Sequence, residues 1–148
     1  MNIEKALKIS TKLPLERRSI IHLLLINNTI KETINQALKP FDISMQQYNV
    51  LRILRGQKGE PANLSTINER MINKMSNTTR LVDKLIAKGL VKRAICETNR
   101  RKVEIIITKA GLIALEKMQE AVENAEKSLL ANFEENELNK LNLLLDKF

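Results

Sequence analysis

Two groups of side chains in this sequence are equipped to bind an anionic surface patterned with hydrogen-bonding edges. Ser76, Asn77, Thr79, Arg80 and Lys84 crowd the start of one stretch, and Asn99, Arg100, Arg101 and Lys102 form an unbroken polar run further along. Small hydrogen-bonding residues beside an arginine suit the major groove of duplex DNA, where the guanidinium fork meets guanine O6 and N7 together. Adjacent arginines suit the narrow minor groove, whose negative potential draws Arg. Lys84 and Lys88 are point charges, better matched to phosphate than to bases. Each group also has an ordinary reading, as an exposed helix face and as a solvated turn.

Charge along the chain favours the binding reading. The chain of 148 residues carries a formal net charge of +8. Between residues 64 and 109 there are eleven Lys and Arg against four acids, whereas residues 110–148 hold four bases and eight acids. A basic centre beside an acidic C-terminal segment is the asymmetry of a protein with only one side turned to a polyanion.

Other chemistry is poorly supplied. One Cys and one His give no ligand cluster for a metal and no internal disulfide. Paired carboxylates, a Ser/His or Cys/His arrangement and a Gly-rich phosphate loop are absent from the sequence, so an enzyme is the remotest reading and no cofactor is expected. No apolar run approaches the ~18 to 20 residues of a membrane span, and the first residues mix Glu4, Lys5, Lys8 and Lys12 into apolar positions unlike a signal peptide. The expectation is a cytoplasmic protein that makes no use of a membrane.

The elements that must hold these residues are legible in outline. Apolar positions three and four apart predict a helix over 15–38, ended by Lys39-Pro40, and its apolar surface is wider than a monomer needs. Ser44 and Gln47 have capping-box spacing for a helix to Gly56, with Tyr48, Leu51 and Leu54 in the core. Gly56, Gly59 and Pro61 mark a loop. A short helix then starts with Ser65 as cap and buries Ile67, Met71 and Ile72. Ser76 is the expected cap of the next helix, which runs to Lys88 and stops at Gly89. Segments 90–94 and 103–107 read as a hairpin. Thr108 caps a long helix that carries Leu112, Leu115, Met118 and Val122 in register, and a last helix from about Glu134 aligns Leu138, Leu141, Leu144 and Leu145.

The Ser76 helix has two faces. With 100° per residue, Leu81, Val82 and Leu85 fall within about 60° of Thr78, while Ser76, Arg80 and Asp83 lie opposite with Asn77, Thr79 and Lys84 at the flanks. The first face packs against the domain. The second, near the helix N-terminus, is free for base edges and phosphates.

From Ile43 to Leu115 the chain resembles the MarR family of bacterial winged-helix transcriptional regulators. The resemblance rests on "ISMQQYNVLRIL", on "LSTINERM" followed by "SNTTRLVDKLIAKGLVKR", on "NRRKVEIIIT", and on "KAGL" at the start of a long helix. It implies a mainly α fold with a small sheet (α+β winged helix). A winged helix-turn-helix over 43–108 would be joined to dimerisation helices over 1–38 and 109–148. It also implies a homodimer, a recognition helix at 76–88, a wing at 96–102, and repression from a pseudo-palindromic operator in double-stranded DNA, with the protein on the nucleoid when bound. Asn99 stands where family wings carry Asp before Arg-Arg. The turn over 71–75 lacks the glycine often found there, and Asn73 is the residue suited to a left-handed conformation.

Relatives often respond to a small aromatic or anionic effector held between the dimerisation and DNA-binding regions, or to oxidation of a cysteine. Arg18 and His22 are the candidate effector-binding residues, set against a plain role as polar residues at a helix interface. Cys96 next to the wing is a candidate thiol sensor, set against an inert strand-end residue. The alternative to the DNA-binding reading is a winged-helix protein-interaction module without sequence-specific DNA binding.

Overall fold

The structure, a computed structural model, describes residues 3–74, 77–95 and 103–148. Its elements are α1 (Ile3–Ala6), α2 (Leu15–Leu38), a 3-10 turn (Lys39–Phe41), α3 (Met45–Gly56), α4 (Leu64–Arg70), α5 (Thr78–Ala87), β1 (Val91–Ile95), β2 (Val103–Ile107), α6 (Lys109–Leu129) and α7 (Glu135–Leu145). The mainly helical winged helix-turn-helix arrangement is the one anticipated. Helix α1 is an addition, with Ile3 fully buried and Glu4 accepting a 3.1 Å hydrogen bond from Arg18 Nε.

Local chemistry explains most boundaries. Ser44 and Gln47 form the full capping box that starts α3. Helix α5 ends in a Schellman pattern, in which Leu90 N–H reaches the Leu85 carbonyl and Gly89 N–H the Ile86 carbonyl. Gly89 takes φ +70°, which a side chain would resist. Among the described residues the other positive φ values are at Lys8, Asp42, Lys58 and Gly59, so the turn after α4 is made without a left-handed Asn73.

The sheet is antiparallel, with Val91 opposite Ile107 and Ile95 opposite Val103. Ala62 adds a single-residue third rung, exchanging hydrogen bonds of 2.9 and 2.7 Å with Ile105. That rung holds the chain extended up to Asn63, whose side chain accepts from Thr66 N–H and caps α4. The expected cap, Ser65, lies inside the helix and bonds Glu69 instead. Helix α4 ends at Arg70, so Ile72 leaves the helical register and is 74% exposed rather than buried.

One core joins these pieces. Ile34 and Leu38 of α2, Val50, Leu51 and Leu54 of α3, Val82 and Leu85 of α5, Ile105 of β2, and Leu115, Met118 and Val122 of α6 belong to a single buried cluster. Gly111 makes the α6 approach possible, because a Cβ there would stand 2.1 Å from the Leu90 carbonyl oxygen. Helix α6 is therefore pressed directly onto the turn that follows α5.

The two ends of the chain differ from this centre. Leu15, Ile20 and Leu24 on the first half of α2 are exposed, and α7 has no buried residue although Leu141, Leu143, Leu144 and Leu145 line it. Leu112, expected in the α6 core, is also exposed. Among the described residues no helix is long and apolar enough to cross a membrane.

Candidate nucleic-acid interface

Helix α5 is built as the sequence requires of a two-faced helix. Thr78, Val82 and Leu85 are buried, Leu81 is half-buried, and Asn77, Thr79, Arg80, Asp83 and Lys84 are exposed. Its cap is Asn77, not Ser76. The Asn77 side-chain oxygen accepts from Arg80 N–H at 3.1 Å. Asn77 therefore offers its amide NH2 to a ligand, beside Thr79 and the Arg80 fork on the same first turn. Ser76 and the wing residues Asn99, Arg100, Arg101 and Lys102 lie outside the described residues, as does Cys96. The two strands that flank the wing are described, and they stay paired as far as Ile95 and Val103.

Among the described residues three side-chain contacts tie α5 to its neighbours, and none was anticipated. The Thr78 hydroxyl donates to Asn68 Oδ1 at 3.0 Å, tying α5 to α4. Arg93 on β1 donates to Asp83 Oδ1 at 2.6 Å, tying the exposed face of α5 to the hairpin. Lys88, read from the sequence as a phosphate partner, is ion-paired with Asp42 just after α2. The hydrogen bond from Lys88 holds the Asp42 carboxyl below its ordinary range. A signal for the first contact was present, since a threonine at the centre of an apolar face needs a partner for its hydroxyl. The two ion pairs depend on hairpin register and chain reversal, which no local spacing encodes.

The surface this creates is positively charged where it is exposed and rigid where it is buried. Arg80 and Lys84 face outward without an ion-pair partner among the described residues. Such a helix, held by its buried side and presenting an arginine and small donors from its first turn, fits the major groove.

A cavity of about 230 Å³ lies between α2, α3, the turn after α4, and α6. Ile34, Met45, Met71 and Val122 give it apolar walls, and Lys31, Arg52, Asn49 and Glu126 give it polar groups. Tyr48 lines it at 6% exposure, and its hydroxyl makes no hydrogen bond among the described residues. Burial raises the Tyr48 pKa above its ordinary value, and the Arg52 guanidinium lies 5.9 Å from the ring centroid. Arg18 and His22 do not line this cavity. Arg18 is engaged with Glu4, and its hydrogen bond lowers the Glu4 pKa.

Comparison with known proteins agrees with the geometry. A family model described as "MarR family" matches residues 43–103. The HTH-type transcriptional regulator PecS of Dickeya dadantii is 31% identical over 122 residues, covering 80% of this chain and 72% of PecS. Among solved structures, a MarR transcription factor from Planctomyces limnophilus is 30% identical with a TM-score of 0.72, covering 93% of this chain and all of the other. A cysteine-to-serine mutant of Escherichia coli MarR in complex with operator DNA is 25% identical with a TM-score of 0.76, covering 90% of this chain and 93% of that one.

Proposed function

This chain belongs to the MarR family of DNA-binding transcriptional regulators, and from that premise we propose that it works as a homodimeric repressor on a pseudo-palindromic operator. It is not an enzyme, as members of this family regulate transcription. The observation that carries the proposal is the exposed row of Asn77, Thr79, Arg80 and Lys84 opposite the buried Thr78, Val82 and Leu85. In this reading Arg80 reads a guanine, Lys84 meets phosphate, and Arg100 and Arg101 enter the minor groove with Asn99 and Lys102 beside them.

Dimerisation rests on the apolar residues that the subunit core leaves outside. Leu15, Ile20 and Leu24 of α2 and Leu143 and Leu144 of α7 expose more apolar surface than an isolated soluble subunit favours. Residues 1–38 and 109–148 supply the dimer contacts in this reading, and 43–108 the DNA contacts. A dimer also supplies the second recognition helix that a two-fold operator demands, one helical turn of DNA away. The protein would act in the cytoplasm, on the nucleoid.

Release by a small aromatic or anionic effector is the further part of this reading. The cavity between α2, α3 and α6 supports it, because the Tyr48 hydroxyl, without a partner among the described residues, is satisfied by a bound molecule, and Lys31 and Arg52 complement an anion. Selection of bound fragments from random duplex DNA, followed by a compound screen for release, tests the whole proposal. A steep fall of affinity with salt is expected. No selected duplex even at low salt would overturn it, and a monomer by sedimentation at micromolar concentration would overturn the dimer.

A further inference from the structure

Among the described residues, side-chain ties hold helix α5 at three points along its length, and they are not equivalent. Lys88 with Asp42 and Asp83 with Arg93 are pairs between exposed side chains, which solvent screens strongly. The tie at the N-terminal end differs. Thr78 is 7% exposed, sits on the apolar face of α5, and donates from its hydroxyl to Asn68 Oδ1 at 3.0 Å. Asn68 also closes α4, since its carbonyl accepts from Met71 N–H at 3.2 Å. One residue thus ends the first helix of the pair and grips the first residue of the second.

The geometry points to Thr78 and Asn68 as positioning residues that set base discrimination, an inference that rests on the DNA-binding reading above. A ten-residue helix is about 15 Å long, so a pivot of about 10° around its C-terminal end would carry its first turn by about 2 to 3 Å. The C-terminal end is the fixed one, with the Schellman turn and Gly111 pressed against Leu90. Base readout by Arg80 tolerates displacements of only about 0.5 Å, whereas a lysine on a phosphate follows the backbone over a wider range. Freeing the N-terminal end therefore removes sequence choice and leaves general DNA affinity in place.

The test compares the full-length wild-type chain with Thr78→Val, Thr78→Ser, Asn68→Ala and the Thr78→Val/Asn68→Ala double variant. Amide hydrogen exchange without DNA is read at Arg80 and Leu81, whose N–H groups bond Asn77. Exchange there is expected to quicken about tenfold in Thr78→Val and to stay at the wild-type rate in Thr78→Ser. Affinities are then measured for the duplex selected by wild type and for a scrambled duplex of equal length. Thr78→Val and Asn68→Ala should each lower the ratio about tenfold with scrambled affinity unchanged, the double variant should lose no more, and Thr78→Ser should keep the ratio. Unchanged exchange in Thr78→Val, or equal loss on both duplexes, overturns the inference. If wild type selects no duplex, the DNA-binding reading fails instead, and the exchange rates alone decide whether the tie exists.

Discussion

The Thr108 hydroxyl donates a 2.7 Å hydrogen bond to the Gly89 carbonyl while accepting one of 3.0 Å from Gly111 N–H. A single side chain therefore joins the residue that ends α5 to the first turn of α6. The Thr108 N–H reaches the Leu90 carbonyl as well. The end of α5 and the start of the long helix α6 share one small polar knot.

Thr108→Val keeps the shape of the side chain and removes both bonds. A loss of about 1 to 2 kcal/mol is expected in urea unfolding, while Thr108→Ser should lose much less. A loss in Thr108→Val no larger than that in Thr108→Ser would show that the two hydrogen bonds contribute little.

Gly111→Ala runs against helix propensity, which favours Ala over Gly by about 1 kcal/mol in a helix interior. Here the added carbon meets the Leu90 carbonyl at 2.1 Å and the Ile107 side chain at 2.8 Å. The variant should lose about 1 to 3 kcal/mol, seen as a lower melting temperature. A gain in stability would show that α6 can move off the turn.

Arg80→Ala should cost about 1 to 3 kcal/mol on the selected operator and little on scrambled DNA. Lys84→Ala should weaken both duplexes alike and lower the salt slope by about 1. Arg100→Ala with Arg101→Ala should weaken binding more uniformly than Arg80→Ala. Competition binding at two salt concentrations separates these patterns, and equal loss on both duplexes for Arg80→Ala would remove it from base readout.

Tyr48 is the only tyrosine and the chain has no tryptophan, so a near-ultraviolet titration reads this one phenol. Burial is the main cause that raises its pKa above the ordinary value of 10.0, with Glu126 and Glu123 adding to it and Arg52 and Arg55 opposing. The folded state therefore binds the proton more tightly than the unfolded state. Its contribution to stability is complete below about pH 10 and is lost as pH rises through the folded value. The midpoint should return to about 10 in urea, and Tyr48→Phe should flatten the alkaline fall in stability. An ordinary midpoint in the folded protein would place the hydroxyl in water.

Much of this fold was legible because its signals are local. The Ser44 and Gln47 capping box, the Gly89 stop, the Thr108 cap and the Val103–Ile107 strand each depend on a few neighbouring residues. The two caps misplaced in the sequence, Ser65 and Ser76, each had an asparagine beside or near them that took the role. Asn63 gained it through the Ala62–Ile105 rung, a contact between residues far apart in the chain. The exposed and buried faces of α5 followed from the periodicity of that helix. The ties that aim it came from pairings across separate elements, which periodicity does not reveal.

The single core cluster has a consequence for how such proteins diversify. Ile34 and Leu38 of α2 and Leu115, Met118 and Val122 of α6 belong to the same buried cluster as Val82 and Leu85 of α5. A chimera that transplants residues 43–108 alone would cut through this packing on two sides. Residues 43–108 are therefore no detachable cassette, because part of the wall that α5 leans on belongs to the two ends of the chain.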